Sequence, residues 1–464
     1  MGVNIISLFS IILICTQSWA NPFPWVPPGT TQLHTLEDPY IDMALRVELI
    51  RLAKKSIRIA VYQQIADNEV GLPILHALRE AAFRGVEIQF LTSTLTSMIF
   101  DRDNIVTRML ADANLPRPAQ ILFFGGVRNK LKGWNISDSM HEKIFLIDDE
   151  IAILGGRNQG RPYLDWLDYD VLIKGNGIVD EIHSAFNEIW ADVLAISQIE
   201  RSTKVKLRDL PNPAIHRQVS LTQEREQILN EILAWVAGDK SVAERHTASA
   251  FEPKSARVIT HRFLNQLRTG NYNGTSRFQM QDAVVNELIN LVKVGHDIRI
   301  STMYAFFHPK LKDALIEALK RGASLYVHLN GDVSAREVIP FGLSYHDSLR
   351  DLLELMQIKK DDGTPANVHI AVFQQTNFKY LHKKIFIADD HVIFGSHNFN
   401  FPSSFSNSEI SLEADDPHFA QIMSLLYDRD FIFSGRPLTI DEATKDFQSN
   451  RVSRWLAELI HNFF

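Results

Sequence analysis

Two histidines 241 residues apart, His141 and His382, stand in the same setting. Each is followed two places on by a lysine (Lys143, Lys384) and seven places on by an aspartate (Asp148, Asp389). Each set leads into a Gly-x-x-Asn tail, Gly155-Gly156-Arg157-Asn158 and Gly395-Ser396-His397-Asn398. An imidazole has a reference pKa of about 6.5, so near neutral pH it can attack when neutral or donate a proton when charged. An ammonium beside it can hold and stabilise negative charge. The chain has 17 histidines, and most, His34, His261, His308 and His418 among them, read as surface or satisfied core residues. The pairing sets His141 and His382 apart.

These side chains need elements to aim them. Lys143–Ile147 and Lys384–Ala388 read as buried strands, and on a strand residues i and i+2 share a side. His141 and Lys143 therefore face one way, as do His382 and Lys384. Asp148-Asp149-Glu150 and Asp389-Asp390-His391 read as tight turns into second strands, Ile151–Leu154 and Val392–Phe394. Around both hairpins the chain repeats. Glu48-Leu49-Ile50-Arg51-Leu52 with Ser56-Ile57-Arg58-Ile59 matches Glu287-Leu288-Ile289-Asn290-Leu291 with Asp297-Ile298-Arg299-Ile300. Ala77–Gly85 matches Ala314–Gly322, and the offset stays near 240 residues. That period is too long for a solenoid and suits a duplicated domain. Alternating strands and helices imply α/β layers around a largely buried sheet. The expected organisation is a first repeat over 21–200, a connection over 201–252 with one helix at Gln223–Val236, and a second repeat over 253–464.

The doubled HxKxxxxD pattern with its Gly-x-x-Asn tails resembles the phospholipase D superfamily, over most of residues 39–415. Gly155–Asn158 followed by Asp168-Tyr169-Asp170-Val171, and Asn407-Ser408-Glu409 after Asn398, are most similar to bacterial cardiolipin synthases and exported phospholipase D-like proteins. The resemblance implies a duplicated phospholipase D fold: two α/β/α halves about a pseudo-twofold axis, with one active site at their interface. It implies phosphodiester cleavage without metal or other cofactor, by a two-step route through a phosphohistidine. By analogy His141 is the nucleophile and His382 the acid, although the residues themselves leave the order open. Lys143, Asn158, Lys384 and Asn398 would bind the phosphate oxygens. Glu409, and Asp170 or Asp168, would each hold an imidazole N–H. Asp148 and Asp389, at turns, belong to the catalytic motif chiefly as structural hydrogen-bonders. The second hairpin has five residues between Asp389 and Gly395 where the first has six between Asp148 and Gly155, so Asn398 is expected to shift slightly.

Composition sets the remaining bounds. At 464 residues, 45% apolar and 22% charged, the chain is ordinary globular material, with room for two or three domains of about 150 residues each. Its net charge of −7 and the lack of a long basic groove disfavour a nucleic-acid partner. Residues 1–20 hold no charged side chain and end Ser18-Trp19-Ala20, which reads as a secretory signal cut after Ala20, giving a periplasmic or secreted enzyme. Cys15, the single cysteine, falls inside it, so no disulfide or cysteine chemistry is expected beyond it. Arg128–Trp134 reads as a solvated basic loop. Val452, Trp455, Leu456, Leu459, Ile460, Phe463 and Phe464 form an apolar helical stripe, expected to dock on its own domain rather than on a membrane. The favoured reading is an exported enzyme cleaving glycerophospholipid headgroups at a membrane surface, with water or an alcohol as acceptor. A cardiolipin-synthase-type phosphatidyltransferase is the nearest alternative, then a metal-independent nuclease or a silent lipid-binding protein. Oligomeric state is open.

Overall fold

The computed structural model describes residues 23–93, 105–124, 139–196, 218–239, 250–251, 253–261, 282–305, 307–331, 339–374, 376–400, 403–404, 407–449 and 455. The expected signal segment, the 128–134 loop and the C-terminal stripe other than Trp455 lie outside them.

The first half runs β1 (Gln32–Leu36), α1 (Pro39–Leu52), β2 (Ser56–Val61), α2 (Gly71–Phe83), β3 (Glu87–Ser93), α3 (Ile105–Leu110) and β4 (Gln120–Phe124). It continues through β5 (Ser139–Met140), β6 (Lys143–Ile147), β7 (Ile151–Gly155), β8 (Trp166–Leu167), β9 (Asp170–Lys174) and α4 (Asn176–Ile196). Helix α5 (Gln223–Val236) and strand β10 (Ala250–Phe251) connect to the second half. That half runs β11 (Ser255–His261), α6 (Ala283–Val294), β12 (Asp297–Thr302), α7 (Pro309–Arg321), β13 (Ser324–Asn330), α8 (Ile339–Met356) and β14 (Asn367–Phe373). It closes with β15 (Tyr380–Leu381), β16 (Lys384–Ala388), β17 (His391–Gly395), β18 (Asn407–Asp415), α9 (Pro417–Ser434), β19 (Gly435–Pro437) and α10 (Ile440–Ser449).

The duplication is plain in the strand order. One sheet reads β10-β1-β9-β7-β6-β2-β3-β4 and the other β11-β18-β17-β16-β12-β13-β14-β19. Strands β2-β3-β4 and β12-β13-β14 are parallel, joined by helical crossovers, and the motif hairpins β6-β7 and β16-β17 add antiparallel to them. Apolar runs such as Lys-Ile-Phe-Leu-Ile suit strands covered on both faces, and all five residues of β6 and of β16 are buried. Helix starts carry their own signals: Asp38 before Pro39 accepts from Tyr40 N at 2.8 Å, and Asp282 accepts from Val284 N at 2.9 Å.

The apolar cores divide by layer. One lies under α1–α3 and α5 in the first half, and one under α6–α8 in the second. A third straddles the halves, mixing Leu167, Tyr169 and Phe186 of α4 with Ile410, Phe419 and Tyr427 of α9. Short strand pairs cross the same boundary, β5 with β18 and β8 with β15. Those crossings bring the two motifs together.

The shorter second hairpin leaves the ladder undisturbed. In the first turn Ile147 pairs with Ile151, and in the second Ala388 pairs with His391, so the missing residue is lost from the turn. Gly155 and Gly395 keep equivalent places, opposite Asp170 and Ser411. The expected shift of Asn398 therefore has no cause in the strands.

Candidate active site

Each histidine enters the site just ahead of its strand and is pinned there by the other half. His141 N donates to Ser408 O at 3.0 Å, and His382 N donates to Leu167 O at 2.8 Å. The side chains exchange in the same way. His141 Nδ1 lies 2.9 and 3.0 Å from the Glu409 oxygens, and His382 Nδ1 lies 2.5 Å from Asp168 Oδ2. With Nδ1 held by a carboxylate, the proton sits there and Nε2 keeps the lone pair. Both rings are buried, with 7% and 5% exposed. Tyr62 meets His141 edge-on at 5.0 Å, and Trp166 stands 4.8 Å from His382.

The lysines share the histidines' side, as strand alternation requires. Lys143 Nζ donates to His141 O at 2.5 Å, and Lys384 Nζ donates to His382 O at 2.5 Å. Each ammonium keeps further protons for an anion. Asn158 is buried, and its Oδ1 accepts from Gln63 N at 3.1 Å, which turns its NH2 away from that contact. Asn398 is also buried, and its side-chain oxygen finds no partner among the described residues.

Burial sets the charges. It pushes His141 down to about 4 against the pull of Glu409, with Lys143 and Lys384 adding to the depression. His382 is held well below its usual range by burial, then by Lys384 and Lys143. Burial also lowers Lys143 to about 7 and Lys384 to about 8, partly offset by Glu409 and Asp168. Glu409 resists the upward push of burial, and the His141 imidazole and further cationic neighbours hold it down to about 2. For Asp168 burial wins, and its carboxyl is raised despite Lys384 and Arg157. That His141 and Lys143 act on His382, and Lys384 on His141, marks one shared site.

Of the two aspartates open to the imidazole-holding role, Asp168 is the one in contact. Asp170 is turned away: its Oδ2 binds Arg46 Nη2 at 2.6 Å, and its Oδ1 accepts from Arg157 N at 3.2 Å. Strand pairing explains the choice, since Asp170 and Ser411 are counterparts while Asp168 and Glu409 precede them by two. Arg157 is buried and bonds Leu36 O at 2.9 Å and Glu37 O at 2.8 Å, with Asp168 O a further acceptor. Gly156 leaves room for this corner, because a Cβ there would lie 2.5 Å from Asp168 Oδ2. Sequence reasoning missed Arg46, Asp42, Tyr62, Trp166 and Ser396.

Asp148 and Asp389 sit at the far ends of β6 and β16, about 20 Å along the strand from the imidazoles, and touch no reacting atom. Asp148 accepts from Lys54 N, Lys55 N and Ser56 N at 2.8, 2.6 and 2.9 Å. Asp389 likewise accepts from His296 N and Asp297 N, at 3.1 and 3.0 Å. Both have positive φ, 55° and 49°, which aspartate tolerates better than most residues. Asp148→Ala removes three acceptor bonds and a favourable turn residue, so a loss of about 2 kcal/mol is expected in denaturant unfolding. Turnover of the folded variant should stay within a few-fold of the parent.

Comparison with known proteins agrees with this geometry. The family described as cardiolipin synthase, PLD-like domain matches residues 47–190 and again 285–431. The minor cardiolipin synthase ClsB of Bacillus subtilis is 21% identical over 425 residues, covering 89% of this chain and 84% of its own. An uncharacterized Helicobacter pylori protein is 24% identical over 430 residues, covering 86% and 79%. Among solved structures, phosphatidylserine synthase of Haemophilus influenzae superposes with a TM-score of 0.62 at 15% identity, covering 95% of this chain and 97% of that one, which shows a common fold. With two matched domains and one reciprocal site, the chain belongs to the cardiolipin synthase-like family of the phospholipase D superfamily and is an enzyme of phospholipase D type.

Proposed function

We propose that this phosphatidyltransferase-type enzyme takes the phosphatidyl group from a glycerophospholipid and delivers it to an alcohol, with water as the competing acceptor. The observation that carries the reading is the exchange of carboxylates, Glu409 onto His141 and Asp168 onto His382. It leaves two imidazoles with free Nε2 atoms in one site flanked by Lys143, Lys384, Asn158 and Asn398. In the first step His141 Nε2 bonds to phosphorus while the P–O bond to the headgroup breaks, and His382 gives that oxygen a proton. In the second, His382 takes the proton of the acceptor hydroxyl, whose oxygen bonds to phosphorus as the P–N bond breaks. The firmly ionised Glu409 favours His141 as nucleophile, because phosphorylated imidazole carries positive charge that this carboxylate offsets. The phosphodiester's own negative charge draws a proton toward His382.

The relatives that are cardiolipin synthases support transfer over hydrolysis as the main outcome. Export is a further part of the reading, resting on residues 1–20 alone; a mature chain starting at Asn21 outside the cytoplasm is its expected mark. The deciding assay offers mixed phosphatidylglycerol, phosphatidylethanolamine and phosphatidylcholine vesicles with a primary alcohol, in EDTA, and reads products by mass spectrometry. Phosphatidyl-alcohol is the expected product. Phosphatidic acid alone makes the enzyme a hydrolase, and plasmid nicking without lipid turnover replaces the reading with a nuclease.

Anion binding should carry the signature of the depressed lysines. A lysine holds its charge only below its pKa, and with His141 already neutral well below pH 6, Lys143 and Lys384 lose charge between pH 6 and 9. The neighbouring Glu142, raised by burial to about 8, gains a negative charge in the same range and works in the same direction. Affinity for sulfate, whose charge is constant there, should fall as pH rises through 7 to 8, by about tenfold for each ammonium lost. In Lys143→Arg the guanidinium does not titrate in this range, so calorimetry should find the lower step gone.

A further inference from the structure

The reaction site is sunk between the halves, yet its substrate lies in a sheet of lipid, so some edge of the molecule must meet that sheet. Strand directions identify the edge. Strand β12 ends at Thr302, paired with Lys384; β13 ends at Asn330, whose side chain bonds Leu381 N at 2.8 Å; and β14 ends at Phe373. All three point their last residues to the end where His382 stands. Helix α9 runs the same way. Its Asp430 binds Lys383, the neighbour of His382, and its last residue, Ser434, accepts from Gln374 N at 2.7 Å just past β14.

At that tip α9 exposes Ile432 and Phe433, 70% and 78% accessible, while the preceding Phe431 packs against the core between the halves. Leu425, two turns back on the same side, is 64% exposed. The counterpart helix α4 also exposes a leucine, Leu194, in its last turn. Two adjacent large apolar side chains in water are costly unless something covers them. Lys379 and Arg436 stand three residues before His382 and one after Gly435; Lys379 is 59% exposed and lies 3.5 Å from Asp165, and the half-buried Arg436 pairs with Glu442 at 2.8 Å. Such surface ion pairs are weak in water, so these side chains can turn to lipid phosphates beside an inserted apolar wedge, as a minor addition to it.

We infer that the tip of α9, with Ile432 and Phe433, is the surface by which the enzyme seats on a phospholipid bilayer next to its site. This rests on the proposed lipid substrate, but the contact is a separate property from the chemistry. Apolar insertion is its main component, because the chain as a whole carries a net charge of −7 and gains little from anionic lipid. Vesicle binding should therefore persist at high salt.

The test compares the full chain, I432S/F433S, and V294S as control, since Val294 is 70% exposed but closes α6 at the opposite edge, beside Asp389. Partition onto phosphatidylglycerol–phosphatidylethanolamine vesicles is read by flotation, and turnover is read on the vesicles and on dihexanoyl phosphatidylglycerol below its micelle concentration. I432S/F433S is expected to lose about tenfold in partition and in vesicle turnover, with short-chain turnover within twofold and V294S unchanged. Unchanged partition in I432S/F433S, or an equal loss in V294S, overturns the inference. So does sedimentation showing a parent dimer that the double variant breaks, since a second copy would then cover the tip. Partition that depends on the tip in a chain that turns over no lipid upholds the contact and removes the proposed reaction instead.

Discussion

A p-nitrophenyl phosphodiester should give a single-turnover burst of nitrophenolate with His382→Ala and none with His141→Ala. Nitrophenolate leaves without a proton, so the first step needs the nucleophile and not the acid. His382→Ala should therefore form the phosphohistidine and stall, for want of a base to activate the acceptor. His141→Ala should lose about 10⁴-fold or more on every substrate, because no bond to phosphorus can form. On lipid esters, whose leaving alkoxide must be protonated, His382→Ala should lose about 10²- to 10⁴-fold. Peptide mapping of the stalled enzyme should place the phosphoryl group on His141. A burst in His141→Ala with label on His382 reverses the two roles and leaves the rest of the chemistry intact.

The basis for that order is an asymmetry within a symmetric frame. Both imidazoles meet a carboxylate from the opposite half, but the two carboxylates are served differently. Glu409 receives Ser396 Oγ at 2.5 Å and Asn407 Nδ2 at 3.3 Å besides His141, so an anion there is well solvated by protein donors. Asp168 has Gly156 where Glu409 has Ser396, and beyond His382 its side chain accepts from Tyr169 N at 2.9 Å. The better-served anion stands behind His141. The half-site with the weaker anion is where a proton passes to and from substrate oxygen with less penalty.

Much of this was readable from residue types because the duplication wrote it twice. The strand character of Lys143–Ile147 and Lys384–Ala388, the shared side of each His–Lys pair and the turns at Asp148 and Asp389 all follow from alternation and turn chemistry. Glu409 was also within reach, as an acid at a fixed distance from Asn398. What linear spacing could not settle was the choice between Asp168 and Asp170. They lie two apart and so point the same way along a strand, and only the pairing of Gly155 with Asp170 fixes which one reaches across. The Arg46–Asp170 bond that occupies the other aspartate, and the Arg157–Asp42 bond beside it, join segments over a hundred residues apart. Aromatic neighbours such as Trp166 were hidden for the same reason: their partner, His382, belongs to the other half. Local pattern reports what a strand presents, and tertiary register decides what it meets.

The same register makes the join between halves a stability element, with Asp430 at its centre. Lys383 is buried, only 1% exposed, and binds Asp430, its ammonium lying 3.9 Å from the centre of the Tyr169 ring. Asp430 also takes the Tyr169 hydroxyl and Arg429 Nε, the latter at 3.0 Å, and Arg429 reaches Glu37 at 2.7 Å. Asp430→Ala leaves a buried ammonium and a buried phenol without their acceptor, and should cost about 3 to 5 kcal/mol in denaturant unfolding. Activity should fall as well, since Lys383 adjoins His382 and a lysine seeking water drags the strand that aims the imidazole. Lys383→Met together with Asp430→Leu should recover most of the stability, because an apolar pair of similar volume carries no unpaired charge. If Asp430→Ala alone unfolds within 1 kcal/mol of the parent, the ion pair is not what holds the halves together, and the apolar core between α4 and α9 holds them instead.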